Sequence, residues 1–106
     1  MAKKLIPRKT FKSKDDFHNF VENEKAWMYS RIVEAITESF ECGKLETCIF
    51  EAKIEDVGTV LTMNSDIEDW ETSLSLAIEW YKNQELYEEC SKIQNLIRKI
   101  RDYLHT

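Results

Sequence analysis

A change of hydrophobic period constrains this chain more than any other feature. Over residues 45 to 54 apolar side chains recur at every second position, whereas the segments on either side repeat at three- and four-residue steps. A period of two belongs to a strand with one buried face and a period near 3.6 to an amphipathic helix, so the fold must combine both. On the strand, Cys48, Phe50, Ala52 and Ile54 are expected on one face, with Thr47, Ile49, Glu51 and Lys53 on the other. The turn chemistry of Glu55-Asp56-Val57-Gly58 leads into Thr59-Val60-Leu61-Thr62-Met63, with Leu61 and Met63 on one side, and the pair reads as an antiparallel hairpin. Two strands alone are marginal in water, so helices must cover them. The hairpin's free edges are able to recruit a strand from another chain, a second copy of this one included.

Helices fill the rest. Ser13 with Asp16 three residues later forms a capping-box-like start, which predicts a helix from about Lys14. Phe17, Phe20, Val21, Met28, Ile32, Ala35, Ile36 and Phe40 then follow at helical steps, interrupted by a polar interval at residues 22 to 25. One long helix and two short ones both satisfy this pattern. Gly43 supplies the left-handed residue that closes a helix. After Asn64-Ser65-Asp66, Ser65 with Glu68 reads as a second capping box, and Ile67, Trp70, Leu74, Ala77, Ile78 and Tyr81 form one stripe. The pattern breaks at Lys82-Asn83-Gln84, and a last helix from about Glu85 to Leu104 carries Leu86, Cys90, Ile93, Ile97, Ile100 and Leu104.

The order is therefore α, β, β, α, α: a small two-layer α+β domain that ends in an antiparallel helical hairpin. At 106 residues, with only 2 Gly and 1 Pro, there is room for one core and few loops. Residues 13–106 are expected to form this domain and residues 1–12 a flexible basic arm. No stretch has the roughly 20 apolar residues of a membrane helix, and the start lacks a secretory-signal pattern, so a cytoplasmic location is expected. The three cysteines, Cys42, Cys48 and Cys90, are an odd number inside apolar patterns and are expected as reduced core residues.

A net charge of −5 conceals strong segregation: residues 1–14 sum to +6, residues 15–90 to −14 and residues 91–106 to +3. So acidic a body repels phosphate backbones and is drawn to basic protein surfaces, including channels that hold nucleic acid; plain solubility is the other use of such charge. Glu68, Asp69, Glu71 and Glu79 are the acids expected at such a contact. The basic arm, with Lys3, Lys4, Arg8, Lys9 and Lys12, is expected to reach an acidic protein or, as an auxiliary contact, nucleic acid. Leu76 and Trp80 fall almost opposite the main stripe of their helix, which therefore has two apolar sides. Either that helix lies between the hairpin and the last helix, or Trp80 with Leu76 is an exposed anchor for a partner.

Following Trp80-Tyr81 and the break at Asn83-Gln84, the run Leu86-Tyr87-Glu88-Glu89-Cys90-Ser91-Lys92-Ile93-Gln94-Asn95-Leu96-Ile97 resembles the UVR motif of the bacterial excinuclease and related bacterial adaptors. Tyr87-Glu88 matches its aromatic-Glu pair, Cys90-Ser91 its small pair and Lys92-Ile93 its basic-apolar step, while Gln94-Asn95 departs from the usual Arg-Asp. The likeness covers residues 74–100. It implies a helical hairpin that docks on protein, with Tyr87 and Glu88 at the contact, and no chemistry of its own.

Enzyme constellations are weak by comparison. His18 has Asp15, Asp16 and Glu22 nearby, but the one other histidine is His105. Cys42 and Cys48 are separated by five residues, outside the usual zinc spacing, and acid pairs such as Asp66 with Asp69 lack further ligands. No metal or cofactor is expected. The function class that fits is a non-enzymatic protein-binding regulator, an inhibitor of a basic nucleic-acid enzyme of the kind phages and mobile elements encode, anti-CRISPR proteins among them. That resemblance is one of type, in size, acidity and lack of catalytic groups. A host adaptor using the UVR-like hairpin is the alternative, and a small enzyme or metal-binding protein the rival class.

Overall fold

The computed structural model describes residues 6–106, so Lys3 and Lys4 of the expected arm lie outside the described residues. In chain order the elements are β1 (Arg8–Phe11), α1 (Lys14–Asn23), α2 (Lys25–Glu41), β2 (Glu46–Ile54), β3 (Thr59–Asp66), α3 (Ile67–Asn83) and α4 (Tyr87–Leu104). The sheet has the order β1-β2-β3, with β1 parallel and β3 antiparallel to the central β2. This is the α+β class that the two hydrophobic periods predict, with one strand more.

That strand corrects the expected flexible arm. Arg8 to Phe11 pair with Glu51 to Ile54, and the chain on either side is tied down: Glu51 N–H donates to Pro7 O at 2.9 Å and Asp56 N–H to Lys12 O at 3.0 Å. Lys9 and Phe11 face the helices, Arg8 and Thr10 the open side of the sheet. Four residues with one large apolar side chain are too short to show a period, and a parallel partner lies beyond a long helical crossover. Pro7, which lacks an N–H, stands where a strand tolerates it.

Between Asn23 and Lys25 the helix breaks at Glu24 (φ −106, ψ 52), so the polar interval separates two helices. Ser13 Oγ accepts from Asp16 N–H at 3.3 Å, as the cap pattern predicts. At the far end of α2, Gly43 (φ 73) donates to Phe40 O at 3.1 Å and Lys44 to Ser39 O at 2.8 Å, a Schellman closure that needs the left-handed glycine.

The alternation on β2 differs from its simple reading. The β2–β3 register shifts between Cys48 and Phe50, leaving Ile49 as a bulge residue. A one-residue insertion reverses the phase, so Thr47, not Cys48, joins Phe50, Ala52 and Ile54 on the inner face. Thr47 is buried and its Oγ1 donates to Ala35 O at 3.0 Å. Ile49 is buried as well, and its carbonyl accepts from Arg31 Nε at 2.6 Å. The cysteines follow from this geometry: Cys42, at the end of α2, is exposed, and Cys48 and Cys90 are half-buried, so none is the core residue expected.

Two cores share α2. Phe11, Phe17, Met28, Ala35, Phe50 and Ile54 pack between the sheet and α1–α2, where Phe20 and Trp27 meet edge to face at 5.4 Å and Trp27 meets Phe50 at 5.2 Å. Ile36, on the other side of α2, packs with Trp70, Leu74, Ile93, Ile97 and Ile100 of the α3–α4 hairpin. The helix lying between the sheet and the last helix is therefore α2, and not the helix that carries Trp80.

β3 runs straight into α3, whose N-cap is Asp66 in place of the expected Ser65. Ser65 is held as a strand residue opposite Thr47, and its carbonyl accepts from Trp70 Nε1 at 3.1 Å. The α3–α4 turn is a second Schellman closure, with Leu86 N–H donating to Tyr81 O at 2.9 Å and Glu85 N–H to Lys82 O at 3.0 Å. Its left-handed position is held by Glu85 (φ 61), which carries a Cβ that disfavours this conformation. Glu85→Gly is accordingly expected to raise stability by about 0.5–1 kcal/mol, and Glu85→Ala to give no such gain. Thermal denaturation of the two variants beside the parent checks this.

Candidate protein-docking surface

Along α3, Trp70, Leu74, Ala77 and Tyr81 are buried. The opposite line of Asp69, Ser73, Leu76 and Trp80, at steps of four, three and four residues, forms one outward face. Leu76 is 56% exposed, the largest apolar outlier on this helix. Trp80 is half-buried, stacked on Tyr29 of α2 at 5.8 Å and edge to face with Tyr81 at 5.1 Å. It is thus part support and part surface.

Where α1 and α2 face α3, they leave an open recess of about 200 Å³. Val21, Met28, Tyr29 and Ile32 line one side, Ser73 and Leu76 the other, and Lys25 stands at its edge. No histidine, cysteine or carboxylate lines it. The lining is mainly apolar, with Lys25, Tyr29 and Ser73 as its polar groups, and is suited to receiving apolar side chains.

Glu68, Asp69 and Glu79 are exposed; Asp69 and Glu79 lie on the Leu76 side of α3, and Glu68 lies between that side and Glu71. Glu71 turns the other way and is hydrogen-bonded by Arg101 of α4, which holds its carboxyl below the usual range. This pair is exposed and contributes little to stability. Tyr87 and Glu88 are exposed at the start of α4, beyond the α3–α4 turn. Of the residues the sequence singles out, the structure therefore brings together Leu76, Trp80, Asp69 and Glu79, and sets apart Glu68, Glu71, Tyr87 and Glu88. Val21, Met28, Tyr29 and Ile32 are missing from the sequence-based site because their helical period marks them only as apolar. Distance in the chain hides that they face Leu76.

The basic residues near the N-terminus form a separate place. Arg8 donates from Nε and Nη2 to Glu51 Oε2 at 2.9 and 2.7 Å, and Lys9 Nζ lies 4.7 Å from the Trp27 ring centre and 5.1 Å from that of Phe20. Together with Pro7, Ser30 and Arg31 they border a recess of about 340 Å³, while Lys12 is exposed. These cations brace the sheet edge, which is work an unattached arm does not do. Among the described residues, no three His, Cys, Asp or Glu side chains group as metal ligands do, and His18 is exposed beside the Phe17 ring. Burial and the neighbouring Glu51 push the Cys48 thiol up, and burial pushes the Tyr81 phenol up; neither lines the α2–α3 recess.

Comparison with protein-family models, curated proteins and solved structures finds no match to this chain. An apolar recess beside an exposed leucine, with two carboxylates on the same side of the helix, complements a partner element that presents an apolar anchor among basic side chains. Among the described residues no helix is long and apolar enough to cross a membrane.

Proposed function

We propose that the protein is a non-enzymatic regulator that docks on a basic protein and alters its activity. The observation that carries this reading is the recess between α2 and α3, open at Leu76, with Asp69 and Glu79 exposed on the same side of α3. The partner is proposed to be a nucleic-acid enzyme, because a surface built to hold phosphates is the commonest strongly basic surface that an acidic body of −14 meets. In this reading the protein is a cytoplasmic inhibitor of the phage or mobile-element type, as anti-CRISPR proteins are, with nucleic acid as no more than an auxiliary contact. An odd number of cysteines supports the reducing compartment.

The UVR-like adaptor is the second reading. It is favoured by Cys90, whose Sγ lies 3.5 Å from Ile78 O where α4 approaches α3, the place at which such a hairpin needs a small residue.

Capture from the source cell, with mass spectrometry to identify the bound enzyme, is to be followed by kinetics on the purified pair. Leu76→Arg is expected to weaken binding at least tenfold, about 1.4 kcal/mol, by placing a charge in the recess. Asp69→Lys with Glu79→Lys is expected to slow association and to flatten its decline with added salt. Binding that ignores all three changes overturns the reading. A captured partner that is bound but not altered in activity favours the adaptor.

A further inference from the structure

β3 lies at the edge of the sheet, and among the described residues nothing pairs with its outer side. Natural edges of this kind are usually short, or carry Lys, Pro or other charge that prevents pairing. The opposite edge, β1, follows that rule, with four residues, Pro7 before it and Arg8 and Lys9 within it. β3 does not. It runs for eight residues, and residues 57 to 65 form the longest uncharged stretch in a chain that is 33% charged. Val57, Val60 and Leu61 are 50%, 45% and 39% exposed there, three of the ten large apolar side chains left open in the described residues.

We propose that β3 pairs antiparallel with β3 of a second copy across a two-fold axis, joining the two sheets into one of six strands. With the axis at Leu61, that residue meets its own copy on the face toward the helices and Met63 meets Thr59. Leu61 is in register with the inward Ala52, and Met63 with the inward Phe50, so the two Leu61 side chains meet on the helix side with each Met63 on a diagonal to the other copy's Leu61. Val60 and Thr62 meet on the open face. A second copy is the occupant because the uncharged strand sets no like charges against each other along its length, and because a two-fold pairing uses up both unprotected edges and closes.

Charge enters at the ends alone. Glu55 and Asp56 of one copy approach Asp66 of the other, so screening should strengthen association as salt is added. Docking of the acidic α3 face on a basic partner has the opposite salt dependence. The proposal does not rest on that docking, since the recess is formed by α1, α2 and α3 and the edge by β3.

Sedimentation equilibrium of the full chain from about 1 μM to about 1 mM, at low and high salt, tests this. A dimer favoured by salt is expected, with slower hydrogen exchange of β3 amides as concentration rises. Thr62→Lys, whose side chain stands beside Glu51 on the open face, should leave the melting temperature unchanged at concentrations where the chain is monomeric and weaken the dimer at least tenfold. Leu61→Lys should weaken the dimer as well, from the other face. A monomer at every concentration overturns the proposal, and so does a dimer that neither lysine weakens. Pairing of β3 with a strand of a different protein, while the free chain stays monomeric, also overturns it.

Discussion

Trp70→Ala is expected to destabilise the protein by about 3–5 kcal/mol, a large part of the 5–15 kcal/mol that holds a typical domain together. Trp70 is fully buried where α3 meets Ile36 of α2 and the Ile93, Ile97 and Ile100 stripe of α4, so truncation empties the centre of the second core. Its indole also donates to Ser65 O at 3.1 Å, which fixes the direct passage from β3 into α3. Trp70→Phe retains most of the apolar surface and loses this bond, so it should cost less, about 1–2 kcal/mol. Chemical denaturation followed by circular dichroism measures both. A loss below about 1 kcal/mol for the alanine variant would show that the helical hairpin does not depend on this core.

Arg31→Met is the second large effect, at about 1.5–3 kcal/mol. Arg31 is buried, donates from Nε to Ile49 O at 2.6 Å and pairs through Nη1 with Glu34 at 3.0 Å. The bulge turns the Ile49 carbonyl away from the β3 ladder, and the guanidinium satisfies it. Methionine keeps the aliphatic stem and volume but leaves that carbonyl buried without its donor, and a hydrogen bond to a charged group is worth more than a neutral one. Faster hydrogen exchange around residues 47 to 50 should accompany the loss. A variant as stable as the parent, with unchanged exchange at the bulge, would show that Arg31 serves the surface alone.

The same two residues show where the sequence is legible. Trp70 belongs to a helical stripe that repeats over four turns, and nothing outside the helix is needed to see that it is inward. Arg31 reads as one more polar position on α2. Its partner is a carbonyl 18 residues away that is exposed to it only because the β2 register shifts, and no local pattern announces a bulge. The candidate site divides in the same way. Leu76 and Trp80 are visible as a second apolar side of α3, since 100° per residue is a property of any helix. Tyr29, which stacks on Trp80 and lines the recess, becomes a site residue only when α2 and α3 are packed together.

What the sequence determines by itself is local: the helical and strand periods, the Ser13 cap, the glycine closure at Gly43, the hairpin turn and the charge segregation, each set by neighbours within a few residues. The tertiary structure alone decided that residues 8–11 form a strand, that α2 rather than α3 lies between the sheet and the terminal helix, that Cys48 turns off the inner face, and that among the described residues β3 is left as an unpaired edge. The reason is physical. A short strand and a bulge gain their hydrogen bonds from residues distant in the chain, and a recess exists only between elements, so neither leaves a period in the segment that carries it.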